Sequence, residues 1–220
     1  MKEKAQEPPD AVPNSRGAHP SSRDSAATAC ASSPNAIAEY FATHTRRVTG
    51  LWIIANFGLF AAMLAAMFYQ RWIAEEWPTA FHFPSLLMAG AMTMFALCGS
   101  VTAAVGAAAS KFDDTEPAVR WIAIAITSWL VFLFLEIVEW VRLIYLERLG
   151  PDTSFGWTFL LLTGTHWIAA ALCCGWFTRV ATNVKKHDTL APALYSHFLN
   201  LWWLVLVVTL YLVNADLQGL

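Results

Sequence analysis

Residues 118–145 read AVRWIAIAITSWLVFLFLEIVEWVRLIY. No charge falls between Trp121 and Leu135, and the run exceeds the roughly 20 residues that cross a hydrocarbon layer about 30 Å thick. Backbone groups in lipid must bond within their own segment, so a run of this length reads as a helix. Its length and the acids near its C-terminal end, Glu136 and Glu139, predict tilt or projection into the interface. Four more runs of spanning length lie on either side: Thr49 to Tyr69, Phe83 to Ala109, Phe155 to Phe177 and Pro192 to Val213. The predicted fold is all-α, a polytopic bundle of five transmembrane helices. Composition agrees. Of 220 residues, 57% are hydrophobic and 14% charged, against about 25% charged in soluble domains. A soluble chain this short could not hide that much apolar surface.

Residues 1–45 differ in kind. Pro8-Pro9, Pro13, Pro20, Ser21-Ser22, Ser32-Ser33 and Pro34 interrupt any periodicity. Such a segment cannot bury enough surface to fold alone, so a disordered tail is expected. It has no contiguous apolar core of a secretory signal. A short helical lead-in from Ala36 to about His44 is expected to reach the membrane. Residues 46–216 then form the transmembrane domain. Arg46, Arg47, Lys111, Arg120, Arg179, Lys185 and Lys186 fall on one side if the five helices alternate. Arg71, Arg142 and Arg148 fall on the other. The positive-inside rule therefore predicts a cytoplasmic N-terminus and an outside C-terminus.

Polar groups inside membrane helices are costly and so informative. Glu136, Glu139 and Arg142 follow one another at a spacing of three, which makes a Glu–Arg pair available within the helix. A lipid or proton site and an interfacial pair snorkelling to the headgroups stand as equal readings. His166 and His197 lie on the last two helices at depths that differ by very roughly 7–8 Å at 1.5 Å rise per residue. That separation favours two structural histidines over a shared haem. Asn56, Thr93, Thr127, Ser128, Thr163, Thr165 and Asn200 are further buried polar candidates, most of them expected to bond between helices. The second span is crowded with Gly and Ala, and Gly106 follows Gly99 by seven residues, which permits close helix approach. The cysteines Cys30, Cys98, Cys173 and Cys174 have no metal-ligand spacing, and three of them lie in apolar runs as small hydrophobes. No catalytic residue, no metal site and no nucleic-acid partner are expected. The chain also shows no internal repeat of the kind found in many transporters.

Three stretches carry a resemblance to a known family. Phe159-Leu160-Leu161-Leu162-Thr163-Gly164-Thr165-His166 is similar to an FxLLTGxH run. Tyr195-Ser196-His197-Phe198-Leu199-Asn200-Leu201-Trp202-Trp203 is similar to YWHFVDxVW. Leu135-Glu136-Ile137-Val138-Glu139-Trp140 is similar to LQxxEW. Together they resemble the short, five-helix form of subunit III of the haem–copper oxidases, over about residues 48–214. Gly50-Leu51-Trp52 and Leu59-Phe60-Ala61 resemble the opening of the first core helix. The resemblance implies matched polar positions at Glu139, His166, His197 and Asn200. It implies an accessory, non-redox subunit of an aerobic respiratory oxidase in a bacterial inner membrane. That subunit would hold no cofactor except bound phospholipid. Its partners would be the catalytic subunit I and subunit II, which carry haem and copper, and the membrane lipids.

The departures bear on mechanism. The family acid in the first core helix is replaced by Asn56, a second histidine by Ala169, and the last-helix Asp by Asn200. Asn fills similar space but does not titrate. The scaffold role therefore carries over further than a role in feeding protons. Three alternatives remain open at this point: a subunit-III-like accessory protein of a nitric oxide reductase, a small solute or proton-coupled transporter using Glu136 and Glu139, and a cytochrome using His166 and His197.

Overall fold

The computed structural model describes residues 34–74, 77, 85–112 and 115–212. Five helices long and apolar enough to span a membrane follow in order, with no strand among the described residues. They are α1 (Pro34–Ile73), α2 (Leu86–Ala109), α3 (Glu116–Val141), α4 (Ser154–Ala181) and α5 (Leu190–Leu206). α3 and α5 each continue as π-helical turns, Arg142–Leu146 and Val207–Leu212. The lead-in expected from Ala36 is part of α1, so residues 34–45 are helical. The rest of the tail, Cys30, Phe83 and Val213 lie outside the described residues.

The core is built on seams of seven-residue period. On α2, Ala89, Ala96 and Ala103 alternate with Met92, Gly99 and Gly106, all buried. On α3, Ala118, Ile122, Ala125, Trp129, Phe132, Glu136 and Glu139 follow at alternating steps of four and three, and all are buried. That period keeps one stripe facing a partner along the helix, and small residues let backbones approach. The two seams meet. A methyl on Gly99 would stand 2.7 Å from the Trp129 ring, and one on Gly106 would stand 3.0 Å from Ile122. The close approach expected of the glycines is thus made to α3.

α4 and α5 complete the interior. Half of the most apolar window of each is buried, against 17% for α1. α1 is therefore the peripheral helix. It is held through Phe60, which stacks on Trp202 at 4.9 Å between ring centroids and lies 6.4 Å from both Phe198 and His166.

Helix ends follow local chemistry. Thr153 caps α4 by accepting from the Gly156 amide at 3.0 Å, as a threonine at that position does. Asp188 accepts from the Leu190 amide at 3.1 Å at the start of α5. Arg148 takes a left-handed conformation (φ 59°) just after α3, and the Leu149 amide bonds back to the Leu143 carbonyl at 3.0 Å. This closes the helix end and turns the chain. One end of the bundle, here the basal end, gathers Arg46 of α1, the end of α2, the start of α3, the end of α4 and the start of α5. Ser110 and Thr189 hydroxyls bond there at 2.7 Å. The opposite end is the distal one.

Candidate functional site

The distal end holds the acids. Glu139 is fully buried. Arg142 reaches back one turn and donates from Nε to Oε2 and from Nη2 to Oε1, both at 3.0 Å. Glu139 Oε1 also accepts from the Ser85 backbone amide, at the N-cap of α2, at 2.7 Å. Arg142 donates further to Glu147 at 2.7 Å. A carboxylate held by a two-pronged guanidinium and a backbone amide is a strong, directional arrangement. It ties the start of α2 to the end of α3. Glu139 is therefore not an exposed pair reaching for headgroups. The other acid does not join it. Glu136 is 1% exposed, and neither of its oxygens has a hydrogen-bond partner among the described residues. Arg142 thus pairs with one of the two acids on its stripe. The seam explains both burials, because Glu136 and Glu139 continue the Ile122–Trp129 face.

The histidines serve separate contacts. His166 is fully buried, and its Nε2 donates to the Leu199 carbonyl on α5 at 3.1 Å. Its ring sits among Phe132 at 5.5 Å and Trp203 at 5.6 Å between centroids. His197 Nδ1 bonds instead to the Ser100 hydroxyl on α2. One histidine joins α4 to α5 and the other joins α5 to α2. No group of three or more His, Cys, Asp or Glu side chains among the described residues could hold a metal ion. Asn200 is buried and its Oδ1 has no partner among the described residues. Ala169 is buried where the resemblance would place a histidine.

The expectation that most of these polar candidates are buried and bond between helices is corrected in part: Thr93, Ser128 and Thr163 take a partner on another helix, Asn56, Thr127 and Thr165 bond within their own, and Thr127 is exposed. Asn56 donates to the Trp52 carbonyl on its own helix at 2.8 Å. Thr93, Thr127, Thr163 and Thr165 each donate to the carbonyl four residues back, at 2.7 to 3.0 Å. A short hydroxyl in a helix finds that carbonyl more readily than a neighbouring helix. Ser128, by contrast, crosses to Cys98 Sγ on α2 at 3.5 Å.

Four of the bonds between helices come from indoles. Trp203 donates to Thr93 at 3.0 Å, Trp129 to Ser196 at 3.1 Å, Trp140 to Thr163 at 3.0 Å and Trp167 to the Leu133 carbonyl at 3.1 Å. These tryptophans are absent from the candidates read in the sequence. The available signal was their place in the heptad seam (Trp129) and in the YSHFLNLWW run (Trp203).

No family model matches the chain. Individual proteins do. It is 29% identical over 180 residues to cytochrome c oxidase subunit 3 of Thermostichus vulcanus, covering 76% of this chain and 88% of that one. It is 26% identical over 187 residues to a probable quinol oxidase subunit 3 of Staphylococcus haemolyticus, covering 77% and 90%. Quinol oxidase subunit 3 of Bacillus subtilis is 27% identical over 195 residues, covering 82% and 94%. The similarity runs to subunits 3 of both cytochrome c and quinol oxidases. Its five apolar helices and these similarities make it a multi-pass membrane protein, and Glu139, His166 and His197 are fastening points between its helices.

Proposed function

We propose that this chain is the accessory subunit 3 of a haem–copper respiratory oxidase in a bacterial inner membrane. It packs beside the catalytic subunit I, with subunit II in the same complex, and itself carries no redox group. Residues 46–216 form its transmembrane unit and residues 1–45 a cytoplasmic tail. What carries the reading is similarity to subunits 3 of both cytochrome c and quinol oxidases over 88–94% of their own lengths. The interior agrees with a scaffold, since buried His166, half-buried His197 and buried Glu139 are spent on contacts between helices. The phospholipid expected of the family has a candidate seat. A cleft of about 460 Å³ near the basal end is lined by Val48, Trp52, Leu172, Trp176 and Tyr195 among others, a mostly apolar wall suited to an acyl chain.

An affinity-tagged chain, solubilised in mild detergent, is expected to bring down a haem-bearing partner that consumes oxygen. Recovery without any haem protein would count against the proposal, and a partner that reduces nitric oxide but not oxygen would move it to the neighbouring reductase complex.

The basal end faces the cytoplasm in this reading. It carries Arg46, Arg47, Lys111, Arg120, Arg179, Lys185 and Lys186, and basic residues concentrate on the cytoplasmic side. In a cysteine-free background, a single cysteine added after Leu220 is expected to react with an impermeant maleimide in intact cells. Protection there, with labelling only after lysis, would reverse the orientation.

A further inference from the structure

Glu136 is buried, and both its oxygens lack a hydrogen-bond partner among the described residues. It sits on the seam of α3 near the distal end, one turn beyond Phe132 and three residues before Glu139. Arg142, the cation on that stripe, is committed elsewhere. Its Nε and Nη2 go to Glu139 and its Nη1 to Glu147. Two neighbouring helices bring further ionisable groups. Tyr211, buried on the π-helical end of α5, lies within electrostatic reach of Glu136, Glu139 and Arg142. His166 of α4 lies beyond Phe132, 5.5 Å from that ring, and bonds the Leu199 carbonyl. α2 brings no charged side chain. Arg142 and Glu147 are partly exposed, so ionisable groups extend from Glu136 and Tyr211 to the distal surface. π-helical turns recur at functional sites; here one supplies Arg142 and the other Tyr211.

We propose that Glu136 is a proton-binding site in the interior of the bundle, exchanging its proton with water at the distal end. An ionised carboxylate buried without a donor is far costlier than the same group carrying a proton, and ionisable groups inside membrane helices mark sites of function. A proton is the cation that fits here. It needs one carboxyl, whereas a metal ion needs several ligands, and no group of three or more His, Cys, Asp or Glu side chains among the described residues could supply them. The step makes a single O–H bond. Hydronium in the distal aqueous phase gives up a proton, Glu136 takes it, and release reverses the step. Glu139, whose charge Arg142 already matches, is not the acceptor. Glu136 stands where the LQxxEW pattern has a glutamine, which does not titrate. The site therefore belongs to this chain and not to the pattern it resembles. The proposal rests on this carboxyl and its surroundings and is independent of the oxidase reading.

Infrared difference spectroscopy of the full-length chain in lipid nanodiscs at neutral pH, parent against variants, tests it. The parent is expected to show the C=O stretch of a protonated carboxylic acid, which a carboxylate lacks. That band should shift down in D2O as the proton exchanges. Glu136→Gln is expected to lose the band completely. Glutamine is what the LQxxEW pattern carries at this position, so the variant should fold with a thermal midpoint matching the parent. Glu139→Gln should keep the band. A parent without the acid band, a band that survives Glu136→Gln, or a band that does not move in D2O would each overturn the proposal. So would a Glu136→Gln midpoint far below the parent, the result expected if the carboxylate is ionised and paired with a group outside the described residues.

Discussion

Glu139→Ala is expected to destabilise the bundle by about 3 kcal/mol, because removing one partner of a buried ion pair strands the other. The substitution removes the two-pronged acceptor of Arg142, with Glu147 remaining, and strips the Ser85 amide of its acceptor. It therefore loosens the distal junction of α2 with α3 as well as the pair itself. Glu139→Gln should fall between, since its carbonyl can still accept from Ser85. Arg142→Met added to Glu139→Ala should restore part of the loss, because the guanidinium that lost Glu139 is gone, and Glu147, its other partner, has a side chain 27% exposed to solvate its charge. Thermal unfolding in detergent, followed by circular dichroism, reads all three. A Glu139→Ala midpoint equal to the parent would show that the pair contributes nothing.

Gly156→Ala should be comparably harmful, through packing and not charge. A methyl group there would run into the Gly150 carbonyl oxygen, and would lie 2.6 Å from that of Leu149 and 2.7 Å from Thr153 Oγ1. Two of these are backbone atoms of the α3–α4 connection, which cannot swing aside as a side chain does. The cap on α4 from Thr153 to the Gly156 amide would be pushed apart as well. Overpacking typically costs 1–3 kcal/mol, and this site should reach about 3 kcal/mol. Gly164 and Gly175, in the same helix, have nothing within 4 Å of the point where a methyl would stand. Alanine there should be neutral or slightly stabilising, since alanine favours a helix by up to about 1 kcal/mol. The same unfolding measurement compares Gly156→Ala with Gly164→Ala. Equal midpoints for the two would mean that the α3–α4 connection yields to the added methyl.

The five spans were legible because hydrocarbon thickness imposes a length that composition alone reveals. Their ends were less so. α1 runs back to Pro34 and α4 on to Ala181 because a helix does not stop where apolarity does; it stops at a cap or a breaking geometry. The burial of Glu136 and Glu139 was legible in principle. Counting back by fours and threes from Glu139 through Phe132, Trp129 and Ile122 stays on one seam, which is a buried seam. Charge alone points to the interface instead. The separate roles of His166 and His197 followed from depth. Their partners, the Leu199 carbonyl and Ser100, depend on how α5 is rotated against α2 and α4, and no local pattern encodes that. The indole bonds were hidden for the same reason. A tryptophan near a helix end reads equally as a belt residue or as a donor to the next helix.

The threonine hydroxyls that bond to their own helices, and the Glu139–Arg142 pair that closes within one turn of α3, bear on how the chain is made. Most of the threonines are satisfied within their own helix before it meets another. A charged side chain at a helix centre raises the cost of leaving the translocon by about 2.5–3.5 kcal/mol, but α3 carries the counter-ion for Glu139 three residues further on. The nascent helices can therefore enter the bilayer one at a time. The tryptophan, serine and histidine bonds between them are left for a later step of assembly within the lipid.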